Sequence, residues 1–370
     1  MDTFHNLLYS IMAREEESKL RKAALAPLSL LSFFYGLALK IRLFLFQSGI
    51  FHMRALPCKV VSVGNITLGG TGKTPFVCLL AEILREKGYA LAVLSRGYKG
   101  SFRKAVGVVS DGEKIHMNAW EAGDEPLLLA ESLPGIPVLV GRKRWISGRY
   151  AVDRFRSQVV ILDDGFQHLG LKRDLNLLLI DSIRPFGNGH LFPRGILRES
   201  LAEISRADAL VLTKGGNFDN IKKLKPKFQT IFENLPVFRV DYKAISMWVA
   251  GKDQSLSAES LKGRNIVAFA GIATPDSFRR TLIGLNARIG YFESFPDHYP
   301  YRSGDIERLW KKAEDLGAEA LVTTEKDWVR LEKVACRSIP LWILSVRHEF
   351  MDHDRERFEH FFWNHLKNTT

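Results

Sequence analysis

From Lys59 onward, short β-branched runs alternate with stretches whose apolar residues recur every three or four positions. The runs Val60–Val63, Ala90–Ser95, Pro137–Val140, Val159–Leu162, Leu175–Ile180 and Ala209–Thr213 read as buried strands. Between the first two, Val77, Leu80, Ala81 and Leu84 share one face of a predicted helix. A polar, lysine-rich passage from Gly215 to Pro236 is followed by a second series, Ile266–Ala270, Ala287–Phe292, Ala320–Thr323 and Leu341–Ser345. Gly304 to Gly317 reads as an amphipathic helix closed by glycine. Such alternation predicts an α/β fold, a mostly parallel sheet covered by helices. Three parts are expected: an N-terminal helix region over 1–50, a core domain over 51–235, and a smaller α/β lobe over 236–370. A cleft should separate the two lobes.

The N-terminal region has a different pattern. Between Lys22 and Lys40 lie 17 uncharged residues, at the lower edge of the roughly 20 that a membrane span requires. Pro27 sits where a helix can begin. Ser29, Ser32, Gly36, Lys40 and Gln47 fall along one stripe, and Leu and Phe fill the remaining surface. That pattern predicts an amphipathic, membrane-associating helix, with Lys40 and Arg42 available to anionic headgroups. A core helix and a true span are the alternatives. No small-residue cleavage site follows the run.

Charge adds to this picture. Lys and Arg number 53 against 41 Asp and Glu, a formal net charge of +12. An excess of this size favours an anionic partner: nucleic acid, an anionic lipid surface or a phosphorylated substrate. The three cysteines, Cys58, Cys78 and Cys336, have neither metal-ligand nor CxxC spacing. A disulfide framework or a zinc site is therefore disfavoured.

The strongest chemical signal is the run from Val60 to Pro75. A buried strand enters the glycine-rich turn Thr67-Leu68-Gly69-Gly70-Thr71-Gly72, and Lys73-Thr74 then opens a helix. Backbone amides in such a turn can converge on phosphate oxygens, because no side chains stand in the way. Lys73 would reach the β- and γ-phosphates, and the Thr74 hydroxyl would serve Mg²⁺. The usual pattern begins with glycine, and Thr67 stands there instead. The predicted class is thus a P-loop NTPase-like α/β fold. Val159–Leu162 leads into Asp163-Asp164, carboxylates at a strand end that can hold Mg²⁺. The guanine-reading pattern Asn-Lys-x-Asp has only a poor analogue, Thr213-Lys214-Gly215-Gly216, and Thr324-Glu325-Lys326-Asp327 has the wrong spacing. ATP is preferred over GTP.

Further blocks are too particular to be generic: Ser95-Arg96-Gly97-Tyr98, Gly123-Asp124-Glu125-Pro126, Asp163-Asp164-Gly165-Phe166-Gln167-His168 and Pro193-Arg194-Gly195-Ile196-Leu197-Arg198-Glu199. Together with Gly64-Asn65, the phosphate loop, Phe295-Pro296-Asp297-His298-Tyr299 and Thr323-Thr324-Glu325-Lys326-Asp327, they closely resemble the tetraacyldisaccharide 4′-kinase family of lipid A synthesis. The resemblance runs from about Leu28 to about Phe350, with the motifs in order.

The resemblance implies transfer of the ATP γ-phosphate to the 4′-hydroxyl of a tetraacylated glucosamine disaccharide 1-phosphate. It implies Asp124 as the catalytic base, paired with His298 from the second lobe once the lobes close. Such a substrate stays in the bilayer, so the enzyme is expected at the cytoplasmic face of the inner membrane, peripheral or monotopic. Arg96, Tyr98, Arg198 and Glu199 are candidate substrate-side residues, and His168 reads either as an orienter beside the metal or as a satisfied core histidine. Arg96 follows a strand, where βα loops face the ligand, and arginine can grip phosphate with two bonds. A monomer is expected.

The competing reading is a membrane-recruited switch ATPase without lipid kinase activity. Such proteins carry a lysine beside the loop's first glycines, whereas here no lysine lies between Lys59 and Lys73. A nucleic-acid-dependent ATPase would suit the charge, but no RNA- or DNA-binding motif is recognisable.

Overall fold

A computed structural model describes residues 25–215, 234–252, 254–331 and 338–368. The charged residues 1–24, most of the lysine-rich passage and Cys336 lie outside the described residues.

The first described helix, α1, runs over Ala26–Gln47 and opens with proline in its first turn. The core begins with β1 (Lys59–Gly64), which leads through the glycine turn into α2 (Lys73–Glu86). Next come β2 (Leu91–Ser95), β3 (Gly107–Ser110), the short α3 (Ala119–Ala122) and α4 (Asp124–Ser132). Then follow β4 (Val138–Val140), α5 (Arg144–Phe155), β5 (Val159–Asp163), β6 (Leu175–Asp181) and β7 (Ala209–Thr213). The second half holds β8 (Val237–Val249), β9 (Ser255–Ser257), β10 (Asn265–Ala270), α6 (Pro275–Gly284) and β11 (Arg288–Ser294). It continues with α7 (Ser303–Asp315), β12 (Ala320–Thr324), α8 (Glu325–Trp328), β13 (Leu341–Phe350) and α9 (Asp354–Asn368).

All ten expected strands form, with ends shifted by a few residues at most at their starts. Together with β3, β8 and β9 they form one 13-stranded sheet in the order β11-β10-β12-β13-β8-β7-β6-β1-β5-β2-β4-β3, with β9 paired to β8. The pairing is parallel except for β13 with β8, β8 with β9 and β3 with β4. β1 is central, flanked by β5 and β6, and its sheet neighbours are apolar on both faces, as parallel strands under helices must be.

β8 carries the sheet from one half to the other. Its first residues pair with β7, and Val240–Val249 then pair with β13. α9 returns to the first half, where Phe358 and Phe362 are buried in the core beside Phe76 of α2.

α1 docks by its polar stripe. Ser32 Oγ donates to Leu191 O at 2.8 Å and accepts from Arg194 N at 3.0 Å. Arg194 also donates to Ser29 Oγ at 2.9 Å, and the Tyr35 hydroxyl donates to Arg198 O at 2.9 Å. Gly36 is small for a reason: a Cβ there would lie 2.8 Å from Leu191 Cδ1. Leu30, Leu31, Phe33, Phe34, Leu37, Ile41 and Phe44 all point outward, with Phe33 65% exposed. The helix is long and apolar enough to cross a membrane. One expectation needs correction. Arg42 is not held out for headgroups, because its guanidinium donates to Gln167 O at 2.9 Å.

Candidate active site

The glycine turn sits at the carboxyl end of β1, the end where parallel α/β sheets bind ligands. Gly72 ends the turn with φ +82°, a left-handed conformation that suits glycine. Space excludes any side chain as well, since a Cβ on Gly72 would lie 2.6 Å from the His348 ring and 2.9 Å from the Tyr242 hydroxyl. Thr213, at the end of β7, donates its hydroxyl to Thr71 O at 3.1 Å. On the other side Leu68 N donates to Ile196 O at 2.7 Å, and Thr67 bridges Leu197. The Pro193–Glu199 block is therefore the neighbour of the phosphate loop. Lys73 and Thr74 are the first two residues of α2, so the loop amides and the positive helix end face one space. Ala273, from the loop after β10, lies over Gly70 (3.2 Å from where its Cβ would be), and Thr274 lines the same cavity.

Three polar side chains, Asn65, Asp164 and Arg198, gather around Lys73. Its Nζ donates to Asn65 Oδ1 at 3.3 Å and lies 3.6 Å from Asp164 Oδ1. Arg198 grips both oxygens of Asp164, at 2.9 and 3.0 Å, and also reaches Asn65 Oδ1 at 3.2 Å. Burial works against the charge on Asp164, but Lys73 and Arg198 outweigh it and hold the carboxyl well below the usual range. Glu199 turns away from the loop. It is 2% exposed, is bound by Arg206, and accepts from Gln167, which also donates to Asn65 O at 2.8 Å.

Asp163 is the opposite case. The register pairs it with Val63 at the end of β1, and it is 1% exposed. Ser95 donates to its Oδ2 at 3.2 Å, while Oδ1 is buried with no partner. Burial, then the charges of Glu125 and Asp164, push its carboxyl up. An acid in this state gains from a nearby cation, so the orphaned oxygen fits a Mg²⁺ site. Arg144, from α5, reaches Asp163 O at 3.4 Å.

The second cluster spans the two halves. Asp124 is the first residue of α4, after Gly123 with φ +93°. His298 Nδ1 lies 2.9 Å from Asp124 Oδ2, so the expected pair is in contact in this structure. His298 itself has φ +62°, a costly conformation for a residue with a Cβ. Arg330 adds a second partner, donating from Nε to the same Oδ2 at 2.7 Å. Burial raises the Asp124 carboxyl, yet His298 and Arg330 together bring it below its ordinary value. Lys326 bridges Glu125 and Asp297 at 3.5 Å each.

The remaining candidates are dispersed. Arg96 and Tyr98 lie on the loop after β2, Arg96 exposed and Tyr98 63% exposed. His168 is pushed down to about 4 by burial and by Arg144, Arg173 and Arg42, and its Nε2 is buried without a partner. Sequence reasoning gave no role to Ser95, Arg144 or Arg330. Ser95 carried a motif signal; Arg330 carried none, being one arginine in the turn after α8.

Comparison with known proteins identifies the family of the chain. The sequence pattern of the tetraacyldisaccharide-1-P 4′-kinase family matches residues 22–367. The tetraacyldisaccharide 4′-kinase of Syntrophus aciditrophicus is 41% identical over 341 residues, covering 90% of this chain and 91% of the relative. That of Desulfatibacillum aliphaticivorans is 41% identical over 345 residues, covering 92% and 93%. The crystal structure of LpxK from Aquifex aeolicus, in complex with ATP, superposes with a TM-score of 0.72. It is 31% identical, and the match covers 93% of this chain and 99% of that one. With the match extending over nearly the whole chain, this protein belongs to the tetraacyldisaccharide-1-P 4′-kinase family.

Proposed function

We propose that this chain transfers the γ-phosphate of ATP to the 4′-hydroxyl of a tetraacylated glucosamine disaccharide 1-phosphate. The observation that carries the reading is the Asp124–His298 contact, a carboxylate of the first half held by a histidine of the second. A sugar hydroxyl needs such an acceptor within hydrogen-bond reach to release its proton as the new bond forms. Lys73 and the loop amides bind the phosphates and the charge that develops on them. Arg198 and Arg96 serve anionic oxygens of either substrate, exposed Tyr98 lies on the substrate side, and buried Glu199 supports the site from behind through Gln167. Thr74, Asp163 and Asp164 are the residues that would hold Mg²⁺, with the unpartnered oxygen of Asp163 the strongest reason. When bound, the ion neutralises charge on the β- and γ-phosphates.

The outward apolar face of α1 supports a place on the membrane, and we assign the chain to the cytoplasmic face of the inner membrane, as a monomer. The division near residue 236 belongs to the same reading, supported by β8, which begins there and leads into the second half.

The test is radiolabelled ATP with a detergent-dispersed tetraacyl disaccharide 1-phosphate, scored for a bisphosphorylated lipid. A labelled lipid product is expected. ATP hydrolysis with no lipid product under any detergent condition would favour the switch ATPase instead.

A further inference from the structure

Arg330 follows α8, and its side chain is 5% exposed. Burying a guanidinium is costly unless its donors find acceptors. Here Nε donates to Asp124 Oδ2 at 2.7 Å and one terminal nitrogen donates to Gly271 O at 2.8 Å and to Asp327 Oδ1 at 3.3 Å, while the other, Nη2, is buried without a partner. His298 uses the same two anchors. Its ring reaches Asp124 Oδ2 at 2.9 Å and its backbone N–H donates to Gly271 O at 3.1 Å. Asp327, fully buried, fixes the Gly271 end by accepting from Gly271 N at 2.9 Å, from the Tyr301 hydroxyl at 2.9 Å and from Thr324 at 2.7 Å.

Both partners of Asp124 therefore engage one oxygen. Among the described residues no hydrogen bond reaches Oδ1, and the carboxyl remains 19% exposed. A carboxylate held ionised can only accept, so Nδ1 of His298 carries the proton it shares with Oδ2.

We propose that Arg330 is a positioning residue that, with His298, pins Oδ2 of Asp124 and reserves Oδ1 as the proton acceptor. This rests on Asp124 acting as the base in the function given above. In the step, the 4′-oxygen bonds to the γ-phosphorus while its O–H bond breaks and the proton passes to Oδ1. The bond from γ-phosphorus to the bridging oxygen breaks, and its electron pair leaves on ADP. A cation at Oδ2 makes Asp124 a weaker base but keeps it ionised, which suits a reaction that asks little covalent help of its base. The charged groups around Asp124 are His298 and Arg330 in contact, Asp297 and Lys326 beyond His298, Glu125 beside it, and Asp327 beneath Arg330.

The test is the pH dependence of kcat/KM with the lipid substrate for the full chain, for Arg330→Met and for Arg330→Lys, with ATP affinity measured separately. Loss of the cation should move the acid limb of Arg330→Met upward by about one pH unit or more. Its kcat should fall by about 10-fold or more at neutral pH, with ATP affinity unchanged. Arg330→Lys should keep the limb near its original place but recover only part of kcat, since an ammonium lacks the fork that spans both anchors. A wild-type limb and kcat in Arg330→Met overturns the proposal, whatever happens to its melting temperature. Should Arg330→Met not fold, full kcat in Arg330→Lys overturns it. Asp124→Asn separates the two readings: normal turnover there removes the base itself, whereas an inactive Asp124→Asn beside an unshifted Arg330→Met removes only Arg330.

Discussion

Arg198 holds both carboxylate oxygens of Asp164, at 2.9 and 3.0 Å, although the two residues lie on separate loops. Lys73 shares the same carboxylate, with its Nζ 3.6 Å from Asp164 Oδ1. Lys73 is thus kept beside the phosphate loop by Asn65 and a shared carboxylate, ready to turn to a stronger anion.

Lys73→Ala should cost on the order of 10²-fold or more in kcat, the scale of a lost contact to transition-state charge. Folding should survive, because Asn65 and Asp164 keep Arg198 as a partner. Near-normal turnover in a folded variant would remove Lys73 from this role.

Asp124 and His298 should behave as a unit. Asp124→Ala should lower kcat strongly with little change in ATP affinity. Adding His298→Ala should then cost much less than the product of the two single effects. Fully multiplicative losses in steady-state kinetics would dissolve the pair and leave Asp124 acting alone.

The two faces of α1 should respond differently. Phe33→Ser with Phe34→Ser should reduce partitioning to anionic phosphatidylglycerol vesicles, with ATP binding and melting temperature unchanged, because both side chains are exposed. Gly36→Val should instead loosen the helix from the body by crowding Leu191. Equal vesicle binding by the Phe33/Phe34 variant would place the membrane contact elsewhere.

His348 gives a pH signature of stability. Burial, then the Lys214 charge, push its imidazole down to about 3, so it stays neutral in the fold while the unfolded chain takes up a proton below about 6.5. The unfolded state binds more protons in that window, so stability falls as pH drops from about 6.5 toward 3, by up to about 1.4 kcal/mol per pH unit for this group. His348→Phe should flatten that part of the denaturation-versus-pH curve. An unchanged slope would show that His348 titrates normally.

Much of this was legible in the chain. The strands that build the central sheet are apolar on both faces, and such runs announce themselves. β3 did not, because it is four residues long at the sheet edge. β8 was hidden by Arg239, Asp241 and Lys243, which are tolerable because the strand leaves one core before entering the next. A boundary was expected at that point, and the alternation broke there for the same reason. Asn65 and Asp124 were visible only inside motifs. Arg330 depends on a contact between residues 206 apart, which no local pattern encodes.

The passage of β8 and β13 through both halves has a mechanical consequence. Halves joined by a loop can swing almost freely, but here any separation of the two halves must alter the twist of a continuous sheet. That is an elastic deformation with a restoring force, and its rest position already has Asp124 touching His298. Opening is then the uphill motion and closing the downhill one, so the fold itself returns Asp124 to His298.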